Sequence, residues 1–171
     1  MNVLLLDTNV VSVLFNKNHS LRPKCIEAVA GRQLVISFMT LAELLLWPAA
    51  NNWGASRRGA LETHLGLYTT LYSDGRTCAI WSGIVDHCRR AGKPIHTADA
   101  WIASTGLQWR IPLVTADFGD YKVIEDLEAV DLATDGLDAP KKRGRPPSGH
   151  DRMLRPGTDP NRGSSLDDLL D

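Results

Sequence analysis

Four acids of this chain stand where a fold delivers side chains to a ligand. Asp7 follows the apolar run Val3-Leu4-Leu5-Leu6, and Asp117 follows Pro112-Leu113-Val114 closely. In open parallel sheets the ligand crevice lies outside the carboxyl ends of the strands. Glu43 falls in the first turns of a helix after a second apolar run, Leu34-Val35-Ile36. Asp99 falls in the first turn of a helix opened by Thr97. Carboxylates converging from separate elements raise each other's pKa unless a cation sits among them. Hard oxygen donors suit Mg²⁺ or Mn²⁺. A divalent ion held this way activates water and neutralises charge at a phosphate undergoing in-line displacement. Singly, each acid has a plainer explanation. Asp99 alone favours its helix dipole, and Glu43 alone completes a capping box opened by Thr40. Most of the 13 acids in residues 1–132 must be surface charges. The placement of all four at element ends is what favours a shared site.

The elements that must place these acids read as short apolar runs alternating with helical patterns. Thr8 is positioned to cap a helix through Val10, Val11, Val13, Leu14 and Phe15. Pro23 to Ala30 forms a second helix stopped by Gly31. Ser37 or Thr40 caps a helix from Leu41 to Trp47, which Pro48 disturbs. Leu61, Leu65, Leu67 and Leu71 predict one long helix over 56–72. Ile80, Trp81, Ile84, Val85 and Cys88 recur at helical spacing until Gly92-Lys93-Pro94. The helix from Thr97 contains Ala100, Trp101, Ile102, Ala103 and Leu107. With strands at 3–6, 34–36, 112–114 and 127–132, the pattern predicts an α/β fold around a central parallel sheet.

Composition bounds the rest. The 171 residues carry 19 Lys+Arg and 20 Asp+Glu, with 43% hydrophobic and 23% charged. That is an ordinary globular balance with enough apolar surface for one core, and it excludes collagen-like and wholly disordered chains. No apolar run approaches the ~18–20 residues of a membrane span. The start, MNVLLLDTN, has no basic region before its short apolar run, so a signal peptide is not expected and a cytoplasmic location is. Cys25, Cys78 and Cys88 show no metal-ligand spacing and read as buried free thiols. From 134 to 165 Pro, Gly, Ser and charge dominate, so a domain of residues 1–132 is expected to precede a disordered tail, 133–171.

The segments LLLDTN at 4–9, IS and TLAEL within 36–44, HTADAWIAST at 96–105 and LVTAD at 113–117 resemble PIN-domain ribonucleases. The likeness is greatest to the VapC toxins of type II toxin–antitoxin modules and spans about residues 2–132. It implies a PIN-like α/β/α sandwich and Mg²⁺- or Mn²⁺-dependent cleavage of RNA. It also implies a homodimer and neutralisation by a VapB-type antitoxin. Carried over by position, the family's catalytic and metal-binding acids fall on Asp7, Glu43, Asp99 and Asp117. Thr8 and Thr115 match the accompanying hydroxyls, and Asp120, three residues beyond Asp117, is a second acid for the same role. The tail has no counterpart in the usual compact toxin.

Other signals are weaker. Asp7-Thr8-Asn9 lacks the second acid that an aspartyl-phosphate phosphatase needs two residues after its nucleophile. His64, His96 and Asp86-His87 offer acid–base chemistry, with structural or surface roles the simpler reading. Trp81 and Trp101 fall among aliphatics at helical spacing and read as core. The block KKRGRPP at 141–147 resembles an AT-hook, whose Arg-Gly-Arg-Pro core lies in the minor groove of A·T-rich DNA. Lys141, Lys142, Arg143 and Arg145 are therefore candidate nucleic-acid contacts, specific or purely electrostatic. The sequence thus reads as the toxin of a VapBC-like pair, a metal-dependent endoribonuclease. The alternative is a catalytically weak PIN-like module that binds nucleic acid through its basic tail.

Overall fold

A computed structural model describes residues 2–132. The expected tail, 133–171, and its basic block lie outside the described residues. The chain runs β1 (Val3–Leu6), α1 (Thr8–Phe15), α2 (Arg22–Val29), β2 (Gln33–Ser37), α3 (Phe38–Ala50) and α4 (Ala55–Leu65). It continues through β3 (Thr69–Leu71), α5 (Gly75–Arg90), α6 (Thr97–Trp109), β4 (Leu113–Thr115), α7 (Phe118–Tyr121) and β5 (Ala129–Asp131). The five strands form one parallel sheet in the order β3-β2-β1-β4-β5.

Strand β1 is apolar throughout, and β2 and β4 are apolar except at their ends, because both sheet faces are covered. Side chains alternate between faces with period two. Leu4 and Leu6 therefore join Ile36 and Val114 on one face, against Val10, Val11 and Leu44 from α1 and α3. Leu5, Val35 and Leu113 point the other way, against Ala100, Ile102 and Ala103 of α6 and Tyr121 of α7. The result is a helix–sheet–helix sandwich, as expected. The strand order reverses direction beside β1, because the chain leaves β3 at one edge and crosses over to β4 on the other side of β1, and that switch point opens the crevice in such sheets.

Several expectations need correction. The helix expected over 56–72 stops at Leu65, and residues 69–71 form β3, paired in parallel with β2. Gly66 caps the helix, and the β-branched pair Thr69-Thr70 satisfies the backbone edge of β2. Leu67, counted as a core position of that helix, is exposed. Helix α3 starts at Phe38 and runs past Pro48 to Ala50. Its cap is Ser37, whose hydroxyl accepts from the Thr40 backbone N–H at 3.0 Å, so Thr40 and Glu43 form no capping box. Helix α1 is capped by Asp7, with Thr8 already its first residue. The four-residue α7 is too short to show a period and was not expected. Cys25 and Cys88 are buried, but Cys78 is exposed.

Candidate active site

Asp7 closes β1, and its backbone N–H donates to the Val114 carbonyl at 3.0 Å. Its carboxylate is buried, only 4% exposed. A buried charge must be met by donors, and four converge on it. The Thr8 backbone N–H donates to Oδ1 at 2.7 Å. Oδ2 accepts from the Thr115 hydroxyl at 2.7 Å, the Asn9 amide at 3.0 Å and the Tyr121 hydroxyl at 3.2 Å. Burial still pushes the Asp7 carboxyl above its ordinary value. The bonds from Thr115, Thr8 and Tyr121 pull it back, and the charge of Glu43 adds to the rise. Desolvation therefore outweighs the donors, and the site remains short of positive charge.

The other acids arrive from separate elements. Glu43 on α3 accepts from the Thr8 hydroxyl at 2.5 Å. Asp117, just beyond β4, is exposed, and its Oδ2 lies 3.0 Å from the Asn9 amide nitrogen. Its backbone N–H donates to the Thr115 hydroxyl oxygen at 3.0 Å. Asp99 in the first turn of α6 is half-buried. Burial pushes its carboxyl up to about 6, with the charges of Asp7 and Asp120 adding to the rise and His96 opposing it. The Tyr121 hydroxyl lies 3.5 Å from Asp99 Oδ1. Asp7, Glu43, Asp99, Asp117 and Asp120 line one open cleft of about 290 Å³, whose lining contains no Lys or Arg. All four acids expected from the sequence thus meet at the carboxyl edge of the sheet, and Asp120 joins them.

Thr8 and Thr115 hold Glu43 and Asp7 as described. Two further polar groups were not foreseen. Asn9 ties Asp7 and Asp117 together through its amide nitrogen, and its Oδ1 accepts from the Ala116 backbone N–H at 3.1 Å. Its position two residues after Asp7, in the first turn of α1, was the available signal. Tyr121 had none, because nothing in the sequence marks α7 as turning inward. Burial and the neighbouring charges of Asp7 and Asp99 push its phenol well above the ordinary range, so it keeps its proton. Ser12 and Trp47 complete the cleft wall.

Among the described residues, no histidine lines the cleft. His96 caps α6, its Nδ1 accepting from the Ala98 N–H at 3.4 Å. His64 pairs with the Tyr68 hydroxyl at 2.9 Å and packs on Phe15. Trp81 and Trp101 stack at 5.0 Å between ring centroids. Among the described residues, no three His, Cys, Asp or Glu side chains form a ready-made ligand cage. The donor chemistry nevertheless fits a hard divalent cation: oxygen donors only, no competing basic group, and two carboxyls displaced upward. Mg²⁺ keeps several waters and takes few carboxylates directly, so spread acids suit it.

The PIN domain family model matches residues 4–125. Ribonuclease VapC1 of Haemophilus influenzae (strain R2866) is 30% identical over 132 residues, 74% of this chain and 95% of that protein. The structure of VapBC-1 from nontypeable Haemophilus influenzae matches with a TM-score of 0.66 at 25% identity, over 77% of this chain and 98% of that one. VapBC2 from Rickettsia felis, solved bound to a DNA fragment from its promoter, matches in fold. Its TM-score is 0.68 at 21% identity, over 75% of this chain and 98% of that one.

The raised pKa of Asp99 has a consequence for stability. In metal-free buffer the folded chain holds this proton more tightly than the unfolded chain, whose value is near 3.8. The resulting stabilisation is full below that value and is lost as pH rises through about 6. Asp99→Asn should therefore raise the melting temperature in EDTA at about pH 7.5 and barely change it near pH 4. Thermal melts of both proteins across that range check this; a shift independent of pH contradicts it.

Proposed function

This chain belongs to the PIN-domain family, in its VapC ribonuclease branch, and on that premise we propose that it is the toxin of a VapBC-like pair, a metal-dependent endoribonuclease that cleaves cellular RNA in the cytoplasm. The observation that carries this reading is the cleft where five carboxylates meet without a basic lining residue. RNA phosphates are repelled by such a cleft unless a cation compensates it. Asp7, Glu43, Asp99 and Asp117 would hold that cation, with Asp120 supporting Asp117. When bound, Mg²⁺ or Mn²⁺ supplies a water of lowered pKa and neutralises charge building on the phosphate. The chain's own contribution is alignment. Thr115, Asn9 and the Thr8 backbone fix the Asp7 carboxylate, the Thr8 hydroxyl fixes Glu43, and Asn9 sets the spacing from Asp7 to Asp117. The proposed partners are a VapB-type antitoxin and a second copy of the chain.

The deciding experiment is RNA cleavage by purified, antitoxin-free protein with and without Mn²⁺. Asp7→Asn keeps the side-chain shape but removes the charge that holds the cation, so cleavage and growth arrest should disappear while the circular dichroism spectrum is preserved. Full activity in a folded Asp7→Asn protein would sink the metal-nuclease reading.

The antitoxin is proposed to inhibit by placing a basic side chain in the acidic cleft, since an Arg bonds a carboxylate in a bidentate manner and competes with metal. A crystal structure of the complex checks this. A cleft with no antitoxin Lys or Arg near Asp7 rejects it.

Residues 134–171 contain none of the proposed acids, so their deletion should leave metal-dependent cleavage intact. Lys141, Lys142, Arg143 and Arg145 are proposed to add phosphate contacts worth a slope of up to roughly −3 to −4 in log K against log salt on duplex DNA. Full-length and 1–133 proteins compared on DNA and RNA across a salt series measure this. Equal affinities and slopes would reduce the basic block to a solvated linker.

A further inference from the structure

We infer that Tyr121 is a positioning residue for the metal-dependent reaction: its buried hydroxyl fastens Asp7 to Asp99, so that the pair meets a divalent cation already aligned. This rests on the metal-nuclease reading above and adds a residue to it.

Tyr121 ends α7 and is only 2% exposed, with its ring in the cluster formed by Leu5, Ala100, Leu113 and Ile124. A Phe would fill that space without a polar atom. Burying a hydroxyl costs free energy unless it finds a partner, so the oxygen needs a reason that the packing does not supply. Its partners supply one. The hydroxyl lies 3.2 Å from Asp7 Oδ2 and 3.5 Å from Asp99 Oδ1, and both are proposed metal ligands.

The two carboxylates depend on it unequally. Asp7 has three other donors, from Thr8, Asn9 and Thr115. Tyr121 has a single O–H proton, shared between the two carboxylates with Asp7 the nearer, and among the described residues its hydroxyl is the one hydrogen-bond partner of the Asp99 side chain. Without it Asp99 turns freely about its side-chain bonds and moves away from the negative charge of Asp7. The cation must then gather Asp99 at the moment of binding, and that ordering cost lowers its affinity. Groups that orient metal ligands through hydrogen bonds typically contribute tenfold to a hundredfold in metal affinity.

The test is Tyr121→Phe in the full-length, antitoxin-free protein, with Mn²⁺ as the probe. Isothermal titration should show Mn²⁺ affinity falling roughly tenfold. The Mn²⁺ concentration for half-maximal RNA cleavage should rise by a similar factor, while kcat at saturating Mn²⁺ and KM for RNA stay within about twofold. The Mn²⁺-induced rise in melting temperature should shrink, which reads the same loss without catalysis. Unchanged Mn²⁺ affinity, with any defect confined to the metal-free melting temperature or to KM, makes Tyr121 a packing residue and overturns the inference alone. A wild-type protein that neither binds Mn²⁺ nor cleaves RNA overturns the metal-nuclease reading, and this inference with it.

Discussion

A carboxylate buried at the end of a central strand is the constraint that the rest of this structure answers to. Taking a charge such as Asp7 out of water costs several kcal/mol even after relaxation. A hydrogen bond to a charged group returns roughly 1.5–3 kcal/mol. Four donors therefore gather on one side chain, from α1, from the end of β4 and from α7. They do not cancel the cost fully, since Asp7 still titrates above its ordinary value. What they provide is fixed geometry, and the remaining shortfall of positive charge is what makes the cleft receptive to a cation.

The sheet order explains how the other acids reach that point. With β1 central and its neighbours β2 and β4 both parallel to it, three carboxyl ends lie side by side. Each leads within a few residues to a helix that begins at the same edge: α1, α3 and α7. Glu43 and Asp120 ride on two of those helices, and Asp117 lies in the turn before α7. Asp99 arrives instead on α6, on the face of the sheet opposite to α1. The cleft thus draws acids from both helical layers, and the sheet edge between them sets the spacing. Asp99 also sits where a helix N-terminus favours negative charge. Burial and its anionic neighbours outweigh that effect, as its upward displacement to about 6 records.

Much of this was legible in the residues themselves. Apolar runs ending in a polar break identify β1, β2 and β4, because a strand covered on both faces is apolar along nearly all of its length. Acids placed immediately after such runs fall at the carboxyl edge whatever the detailed packing, so Asp7 and Asp117 followed from one-dimensional pattern alone. Glu43 and Asp99 followed from helix starts, which Ser37 and Thr97 mark locally. The motifs around all four carried the family resemblance as well.

Tertiary structure alone decided the rest, because long-range pairing leaves no local trace. The stretch at 67–71 has leucines at helical spacing, yet the open edge of β2 recruited residues 69–71 as β3, since unmet backbone groups at a buried edge outweigh a weak periodicity. The single turn α7 is shorter than any period. Tyr121 therefore became a neighbour of Asp7 only when the chain folded across a sequence separation of 114 residues. Asn9 was visible as a residue, but its role required Ala116 and Asp117 to be brought beside it by β4. Residue type and spacing determined which groups stand at the edge of the sheet; the cross-chain hydrogen bonds determined which of them hold one another in place.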